Sequence, residues 1–229
     1  MRGLLLTLTP YYLNKTMKKL LLTILLFSLN TFAQVPDDPN NVHPMLPGMT
    51  IPDMHVLNVK GEAVTITAKN MQKPFIITFY RGGWCPYCNA QLAQMRIAEK
   101  ELLALGYDVY FISPDKPEYL IESLKDKKLK KDMHYTLLSD PSMQVAQDFG
   151  IAFRLDDKTV NKYKKWNIDL EKASGYKHHY LPAPSTYLVG KKGIIYFQYT
   201  NPNYKVRLDP DLLVAAAQSY LKTKGKNVK

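Results

Sequence analysis

The sequence predicts an α/β fold in which helices flank a mixed central sheet on both faces. Strand and helix signals alternate along most of the chain. A continuous apolar run over residues 75–80 is typical of a central strand that is buried on both faces. Hairpin signals before and after the alternating region add antiparallel strands, so we expect the sheet to be mixed.

The first predicted elements are an N-terminal β-hairpin and a long helix. Strands over residues 55–59 and 63–67 flank the turn at Lys60-Gly61-Glu62. After the buried strand, a helix is predicted over residues 86–105, and Gly106 ends it. Its apolar face recurs at steps of three, four or seven residues and consists of Cys88, Leu92, Met95, Leu102 and Leu105.

The later elements follow from the same kinds of signal. Lysines at the end of a helix suit its negative terminus. Asp-Pro pairs mark helix starts, because proline fits the first helical turn. The predicted elements are a strand over 109–113, a helix over 117–131, a strand over 135–138, a helix over 140–149, a hairpin over 186–200 and a final helix over 209–221.

Residues 1–33 have the pattern of a signal peptide. Translation is expected to begin at Met17, where Lys18 and Lys19 precede a short apolar run, and a cleavage signal ends at Ala33. The protein is therefore expected to be exported, to the periplasm or another extracytoplasmic compartment. The alternative is an uncleaved membrane anchor, although the apolar run is short for a span.

The expected mature chain is one folded domain with short flanking segments. Residues 34–45 are rich in proline, asparagine and aspartate and are predicted to form a linker. The domain covers residues 46–222. It contains an insertion at residues 151–182 with a short helix near residues 159–172, and a basic tail follows at residues 223–229.

Composition excludes several classes of protein. The 229 residues include 31 Lys and Arg, 20 Asp and Glu and two Cys, and the 46% that are hydrophobic exclude disorder of the whole chain. Two cysteines do not suffice for a disulfide-stapled scaffold or a four-cysteine zinc site. Residues 1–33 hold four bases and no acid, so 27 bases face 20 acids in the expected mature chain. Because these bases are scattered and export is predicted, no nucleic-acid partner is expected.

The two cysteines form a Cys-x-x-Cys motif at a predicted strand-to-helix junction. Pro86 suits the first helical position, which places Cys85 at the helix N-cap and Cys88 one turn inside. The positive end of the helix dipole, with Arg81 nearby, is expected to lower the pKa of Cys85. Cys88 lies on the apolar face, so Cys85 is expected to be the more exposed of the two.

The spacing of the motif lets the two sulfur atoms close a reversible disulfide, Cys85–Cys88, so a redox-active dithiol is the favoured interpretation. The alternatives are a static disulfide, which would constrain few residues, and half of a metal site, for which only His178 and His179 are paired candidates. We expect both histidines to be solvated, and neither a metal nor a cofactor to be bound. The alternative for the histidines is an acid–base role in the site, since they lie near Pro184 in sequence. We also expect Arg207 to lie at the surface; the alternative is that it reaches the active face.

Several segments around the motif carry a family resemblance. Leu46 to Asp53, Ile112 to Glu118 and Leu137 to Asp140 resemble signature segments of the peroxiredoxin-like AhpC/TSA proteins, within the thioredoxin-fold superfamily. The resemblance covers residues 46–221 and implies a thioredoxin-like fold with an N-terminal β-hairpin extension. It also implies an antioxidant enzyme that reduces hydroperoxides and is regenerated by a thioredoxin-like electron donor.

Three positions differ from the peroxiredoxin pattern. That pattern has Thr or Ser where Cys85 stands, Pro where Arg81 stands, and Arg where Pro184 precedes a Ser-Thr-Tyr strand. In peroxiredoxins, the Thr and the Arg polarise the peroxide. On this alignment Cys88 matches the attacking cysteine, and Arg81 is expected to shape the site in a way of its own.

The same positions resemble thioredoxin. Trp84 precedes the paired cysteines as in the Trp-Cys-x-x-Cys motif, and Pro184 with Thr186 resembles the segment that carries thioredoxin's cis-proline. The resemblance implies that Trp84 lines the mouth of the site, that Pro184 and Thr186 shape it, and that the bond before Pro184 is cis. Tyr87 is expected to be exposed for partner contact, and Phe79 stands where thioredoxin has a buried Asp.

We therefore predict an exported, thiol-dependent oxidoreductase that reduces hydroperoxides through a cycle of Cys85 and Cys88. Cys85 is expected to attack, because the dipole and access favour it, and Cys88 to resolve. One alternative is a thioredoxin-like reductase or oxidase of exported proteins' disulfides, and another is a non-catalytic thiol interaction module. No stable membrane insertion is expected after signal cleavage.

Overall fold

The computed structural model describes residues 34–122 and 134–223, and a mixed seven-stranded sheet forms the centre of this described chain. In chain order the strands are β1 (Met54–Leu57), β2 (Ala63–Ile66), β3 (Phe75–Phe79), β4 (Asp108–Ser113), β5 (Thr136–Ser139), β6 (Ala152–Arg154), β7 (Tyr180–Pro182), β8 (Ser185–Val189) and β9 (Ile195–Thr200). The sheet order is β2-β1-β5-β4-β3-β8-β9, and β6 and β7 form a separate sheet.

The pairing of the strands confirms the predicted mixed sheet. β3 and β4 are parallel, as are β4 and β5, whereas β1 and β2 form the antiparallel N-terminal hairpin. β1 joins the sheet antiparallel to β5, and β8 pairs antiparallel with both β3 and β9. All five residues of β3 are buried, as its continuous apolar run predicts for a central strand.

Helices cover both faces of the sheet. They are α1 (Pro86–Ala104), α2 (Pro117–Glu122), α3 (Gln144–Asp148), α4 (Asp157–Lys165), α5 (Leu170–Ser174) and α6 (Pro210–Thr223). Apolar side chains of α1, α2 and α6 pack around Ile76 on one face, and α3 packs around Ile77 on the other. Neighbouring residues of a strand point to opposite faces, so the run in β3 serves both cores.

The helix predicted over residues 140–149 begins later, at Gln144, and Pro141 lies outside it. The buried carboxylate of Asp140 accepts the N–H of Ala146 at 3.0 Å, which satisfies one of the free amides at the start of the helix. Burial raises the pKa of Asp140 to about 7. The Asp-Pro pair therefore precedes a turn, and its aspartate caps α3 from outside the helix.

The insertion over residues 151–182 contains two helices and a small sheet, where the sequence predicted one short helix. α4 ends at Lys165, and α5 begins after Asp169, whose carboxylate accepts the N–H of Lys172 at 2.9 Å. Between them, Asn167 has a φ of 58°, a left-handed conformation that interrupts a helix. β6 and β7, which lie at the two ends of the insertion, pair antiparallel. Its buried apolar residues are Phe153, Leu155, Val160, Tyr163, Leu170 and Leu181.

Residues 35–45, here called the N-terminal arm, belong to the segment that composition predicts as a linker. Backbone hydrogen bonds tie this arm to the chain around the start of the insertion. A segment rich in proline and asparagine can pack in this way when its backbone groups find partners. The three bonds join Arg154 N to Pro36 O (2.8 Å), His43 N to Gly150 O (2.9 Å) and Met45 N to Phe149 O (3.1 Å).

Three predicted segments lie partly or wholly outside the described residues. They are the signal peptide over residues 1–33, residues 123–131 of the helix predicted over 117–131, and residues 224–229 of the basic tail. They remain predictions. Among the helices that the structure describes, none is long and apolar enough to cross a membrane.

Candidate active site

The Cys-x-x-Cys motif lies where the chain leaves β3 and enters α1. Cys85 has extended backbone angles, with φ of −87° and ψ of 115°, and is the N-cap of α1, whose first residue is Pro86. The carbonyl oxygen of Cys85 accepts the N–H groups of Cys88 and Asn89 at 3.0 and 3.1 Å, which closes the first turn. The predicted place of both cysteines at the start of a helix is confirmed.

Both cysteine side chains are buried, although Cys85 keeps slightly more exposed surface than Cys88, as expected. The exposed fraction is 2% for Cys85 and 0% for Cys88. Both belong to the apolar cluster between α1 and the sheet, and Trp84 packs against that cluster. A helix N-cap is often open to solvent, but here the start of the helix is itself covered. Little sulfur surface is therefore open to a large reactant.

The pKa values of the two thiols are shifted in opposite directions. A hydrogen bond from the Cys88 thiol, joined by a backbone N–H and the charges of Arg81 and Arg207, lowers the pKa of Cys85 to about 6 against the effect of burial. Burial raises the pKa of Cys88 well above its ordinary value, and the hydrogen bond and charge of Cys85 raise it further. At neutral pH Cys85 is therefore the thiolate, and Cys88 keeps its proton.

Arg81 supplies a positive charge beside Cys85, although its side chain is only 2% exposed. Its Nη2 donates to the Oη of Tyr163 at 2.5 Å. Its guanidinium carbon lies 4.3 Å from the ring centre of Tyr204, 5.6 Å from that of Trp84 and 5.7 Å from that of Tyr163. No carboxylate of the described residues forms an ion pair with it. Aromatic rings hold a cation without neutralising it, so its charge still acts on Cys85.

Arg207 reaches the site, so the expectation that it is a surface arginine is wrong. Its Nη2 donates to the Sγ of Cys88 at 3.3 Å. It belongs to residues 201–209, here called the 201–209 loop, which connects β9 to α6 and also carries Tyr204. The contact joins residues 119 positions apart, so no local pattern predicts it.

Sequence reasoning missed a buried carboxylate that contacts the segment just before the motif. Asp115 is 1% exposed, and its Oδ2 accepts the N–H of Gly83 at 2.8 Å. Burial, and then the Asp115 charge, raise the pKa of Tyr80 above its usual range. Phe79 is buried where thioredoxin has its carboxylate, and Asp115 approaches from the next strand instead. The signal that could have found it is the Ser-Pro-Asp sequence after β4, because neighbouring parallel strands end at the same edge.

Trp84 is half-buried and faces the insertion. Its ring centre lies 5.7 Å from that of Tyr163 in an edge-on arrangement. It borders a groove of about 310 Å³ whose other walls come from Tyr119, residues 167–169, Lys172 and Ala173. Tyr87 is 41% exposed, as expected, and its ring lies 5.6 Å from that of Tyr204, again edge-on. The groove and the exposed tyrosine are thus both next to the motif.

Pro184 and Thr186 differ from what the thioredoxin resemblance implies. The peptide bond before Pro184 is trans, and the Pro184 carbonyl accepts the N–H of Asn201 at 3.1 Å, so the chain enters β8 in an extended form. The Oγ1 of Thr186 lies 3.2 Å from the Oγ1 of Thr78 across the β8–β3 pair, so this hydroxyl is used within the sheet. Pro184 does border a cavity of about 250 Å³ that Arg81 also lines.

His178 and His179 are half-buried, which corrects the expectation that they are solvated. The Nε2 of His178 lies 2.9 Å from the Pro141 carbonyl oxygen, and the Nε2 of His179 lies 2.9 Å from the Oε1 of Glu171. Burial lowers the pKa of His178. These contacts give both rings structural partners. Within the described ranges, no group of three or more His, Cys, Asp and Glu is placed to hold a metal ion.

Replacing Arg81 by Met is expected to raise the pKa of Cys85 by about one unit, because a nearby cation that favours the thiolate is lost. The pH dependence of thiolate ultraviolet absorbance measures this pKa. Tyr163→Phe is the matched control: it removes only the hydrogen bond to Arg81 and should give a smaller rise. An unchanged pKa of Cys85 in Arg81→Met would contradict the role of this charge.

The fold and the site together define a class of protein. It has a thioredoxin fold and two cysteines at the start of a helix, one with a lowered and one with a raised pKa. The chain matches the model of the AhpC/TSA family over residues 47–198 and belongs to that family. It is accordingly a peroxiredoxin-like thiol oxidoreductase, as the resemblance implied.

Its curated relatives include peroxiredoxins of two bacteria. The chain is 36% identical over 109 residues to the putative peroxiredoxin bcp of Haemophilus influenzae, across 43% of this chain and 68% of that protein. It is 34% identical over 110 residues to peroxiredoxin Bcp of Escherichia coli, across 48% and 67% of the two chains.

Solved structures support the fold. Peroxidoxin BcpB from Mycobacterium tuberculosis gives a TM-score of 0.56 at 18% identity, and the match covers 76% of this chain and 97% of that one. AhpC from Enterococcus faecalis gives 0.58 at 19% identity, and the match covers 80% and 97%. At these identities the likeness concerns the fold alone.

Proposed function

We propose that this protein reduces hydroperoxides in an extracytoplasmic compartment, with Cys85 as the attacking thiolate and Cys88 as the resolving thiol. The observation that carries the proposal is the opposite shift of the two pKa values at one helix start, in a chain of the AhpC/TSA family. Export is supported by the signal-peptide pattern of residues 1–33.

In the first step, the Cys85 thiolate attacks one oxygen of the hydroperoxide. The S–O bond forms as the O–O bond breaks, which leaves a sulfenic acid on Cys85, and the departing alkoxide or hydroxide takes a proton from water. A pKa of about 6 keeps most of Cys85 ionised at neutral pH. The charges of Arg81 and Arg207 lie near the sulfur and stabilise negative charge on it and on the oxygens that it attacks.

In the second step, Cys88 condenses with the sulfenic acid. An S–S bond forms, the S–O bond breaks and water leaves. The two residues are one helical turn apart, so the step needs little movement of the backbone. A dithiol donor of the thioredoxin kind then returns the disulfide to two thiols, which completes the cycle.

A second candidate function is reduction or oxidation of disulfides in other exported proteins. The exposed Tyr87 between the two cysteines favours it, because such a side chain offers a protein partner a contact beside the motif. The burial of the Cys85 sulfur weighs against it. A protein disulfide must bring a bulky sulfur in line with Cys85, whereas a small peroxide needs only a narrow approach.

The two functions are distinguished by single-turnover reactions of the reduced protein. We expect oxidation by hydrogen peroxide or cumene hydroperoxide to exceed exchange with a protein disulfide, such as that of insulin, by at least about 100-fold in second-order rate constant. Cys85→Ser protein is the control for reaction at other groups. If disulfide exchange proves faster, the second function replaces the first.

A further inference from the structure

We propose that Arg207 is a catalytic residue of the resolving step, in which it stabilises the thiolate of Cys88 as that sulfur attacks the oxidised Cys85. The proposal rests on the proposed function. Arg207 lies outside the Cys-x-x-Cys motif and comes from the 201–209 loop, yet its Nη2 is 3.3 Å from the sulfur of Cys88.

The resolving step poses a problem of charge. A thiolate is the nucleophile in such a condensation, and the thiol form of Cys88 is far less reactive. Cys88 is fully buried in an apolar cluster, where ionisation is costly. A cation in direct contact with its sulfur offsets that cost, and Arg207 provides one.

Oxidation of Cys85 changes the balance in favour of Cys88. In the reduced protein, the Cys88 thiol donates a hydrogen bond to Cys85, and the charge of Cys85 also holds the proton on Cys88. Both effects end when the Cys85 thiolate becomes a neutral sulfenic acid. Burial is then opposed by the positive charge of Arg207 and by a backbone N–H from Arg81. Cys88 therefore gains reactivity only after Cys85 has reacted.

Arg207 also has N–H groups available to bind the oxygen atom that leaves the sulfur of Cys85. Its Nε and Nη1 are buried and have no hydrogen-bond acceptor among the described residues. Unpaired buried donors are costly, and they are satisfied if an oxygen atom enters the site. As the S–S bond forms and the S–O bond of Cys85 breaks, the departing oxygen takes the proton of Cys88 and leaves as water. Atoms and charges balance without a further reactant.

The test follows the two oxidation steps separately in Arg207→Met protein. The reduced protein is mixed rapidly with one equivalent of hydrogen peroxide, and mass spectrometry after dimedone trapping counts sulfenic acid and disulfide. We expect the first step to slow by less than about 5-fold, because Arg81 remains. The second step should slow by about 30-fold, the effect of losing a hydrogen bond to a charged group. Sulfenic acid on Cys85 should then accumulate.

Two variants and a pH series separate catalysis from structure. Arg207→Lys keeps the charge and should recover part of the resolving rate, while Lys205→Met on the same loop should behave as the unmodified protein. In Arg207→Met, raising the pH should restore the resolving rate, because it supplies the thiolate that the arginine no longer favours. A purely structural defect would not be rescued by pH.

The outcomes distinguish this proposal from the function on which it rests. If the unmodified protein forms neither sulfenic acid nor disulfide with peroxide, the proposed function fails. If it forms both, and Arg207→Met resolves at the same rate or stays slow at every pH, the role of Arg207 is overturned while the peroxidase function stands.

Discussion

Replacing Cys85 by Ser is expected to slow peroxide reduction by at least about 1,000-fold, the scale on which loss of a nucleophile acts. In that variant Cys88 is the remaining thiol, and burial raises its pKa well above the ordinary value. It holds its proton at neutral pH and reacts slowly. Stopped-flow measurement of peroxide consumption by the reduced variant gives the rate.

The matched variant Cys88→Ser should keep the first oxidation and lose the second. Cys85 should form a stable sulfenic acid, detected by dimedone labelling. The serine hydroxyl can still donate a hydrogen bond to Cys85, so the pKa of Cys85 should stay near 6, whereas Cys88→Ala removes this largest cause and should raise it. Alkylation below pH 6 should slow in step with loss of the thiolate.

Rapid sulfenic acid formation at Cys88 in the Cys85→Ser protein would reverse the assignment. The peroxiredoxin alignment, which matches Cys88 to the attacking cysteine, would then be the better guide. The hydrogen bond from Arg207 to Cys88 would in that case serve the attack itself.

Replacing Gly150 by Ala is expected to lower the free energy of unfolding by about 2–4 kcal/mol and the midpoint of thermal unfolding by about 5–15 °C. Gly150 has a φ of +68°, which strains any residue with a side chain. An added Cβ would also overlap the backbone carbonyl oxygen of His43 in the N-terminal arm. That carbonyl cannot move without disturbing the hydrogen bond from His43 N to Gly150 O.

Gly61→Ala is the control for Gly150→Ala. Gly61 has a φ of +80°, but nothing lies within 4 Å of an added Cβ. Its cost should be the backbone strain alone, about 1 kcal/mol. The difference between the two variants therefore measures the packing of the N-terminal arm. Equal thermal unfolding curves would contradict the contact between the arm and Gly150.

Local rules predicted the part of the site that is local in sequence. The start of α1 follows from Pro86 and the apolar spacing, and the N-cap position of Cys85 predicted the direction of its pKa shift. Burial of that same sulfur depends on the apolar cluster around it, which includes Leu208 of the 201–209 loop. No property of the motif itself encodes that cover.

The contacts that sequence reasoning missed are all made by distant residues. Arg207 meets Cys88 across 119 positions and Tyr163 meets Arg81 across 82, so only the assembled sheet brings them together. Asp115 was easier to predict from the sequence, since it follows a predicted strand that runs parallel to β3. The start of α3 at Gln144 has a local cause: the Asp140 carboxylate accepts the N–H of Ala146 from outside the helix.

Tyr163 links the acidity of Cys85 to the stability of the insertion. Its ring belongs to the insertion's own apolar core, and its hydroxyl accepts the hydrogen bond from Arg81. Local opening of that core and ionisation of the thiol are therefore coupled equilibria: each molecule with an open insertion has a weaker acid at Cys85, and each ionised thiol favours the closed form by the same free energy. Hydrogen exchange at α4 and the titration of Cys85 therefore both measure the coupling free energy between opening of the insertion and ionisation of Cys85.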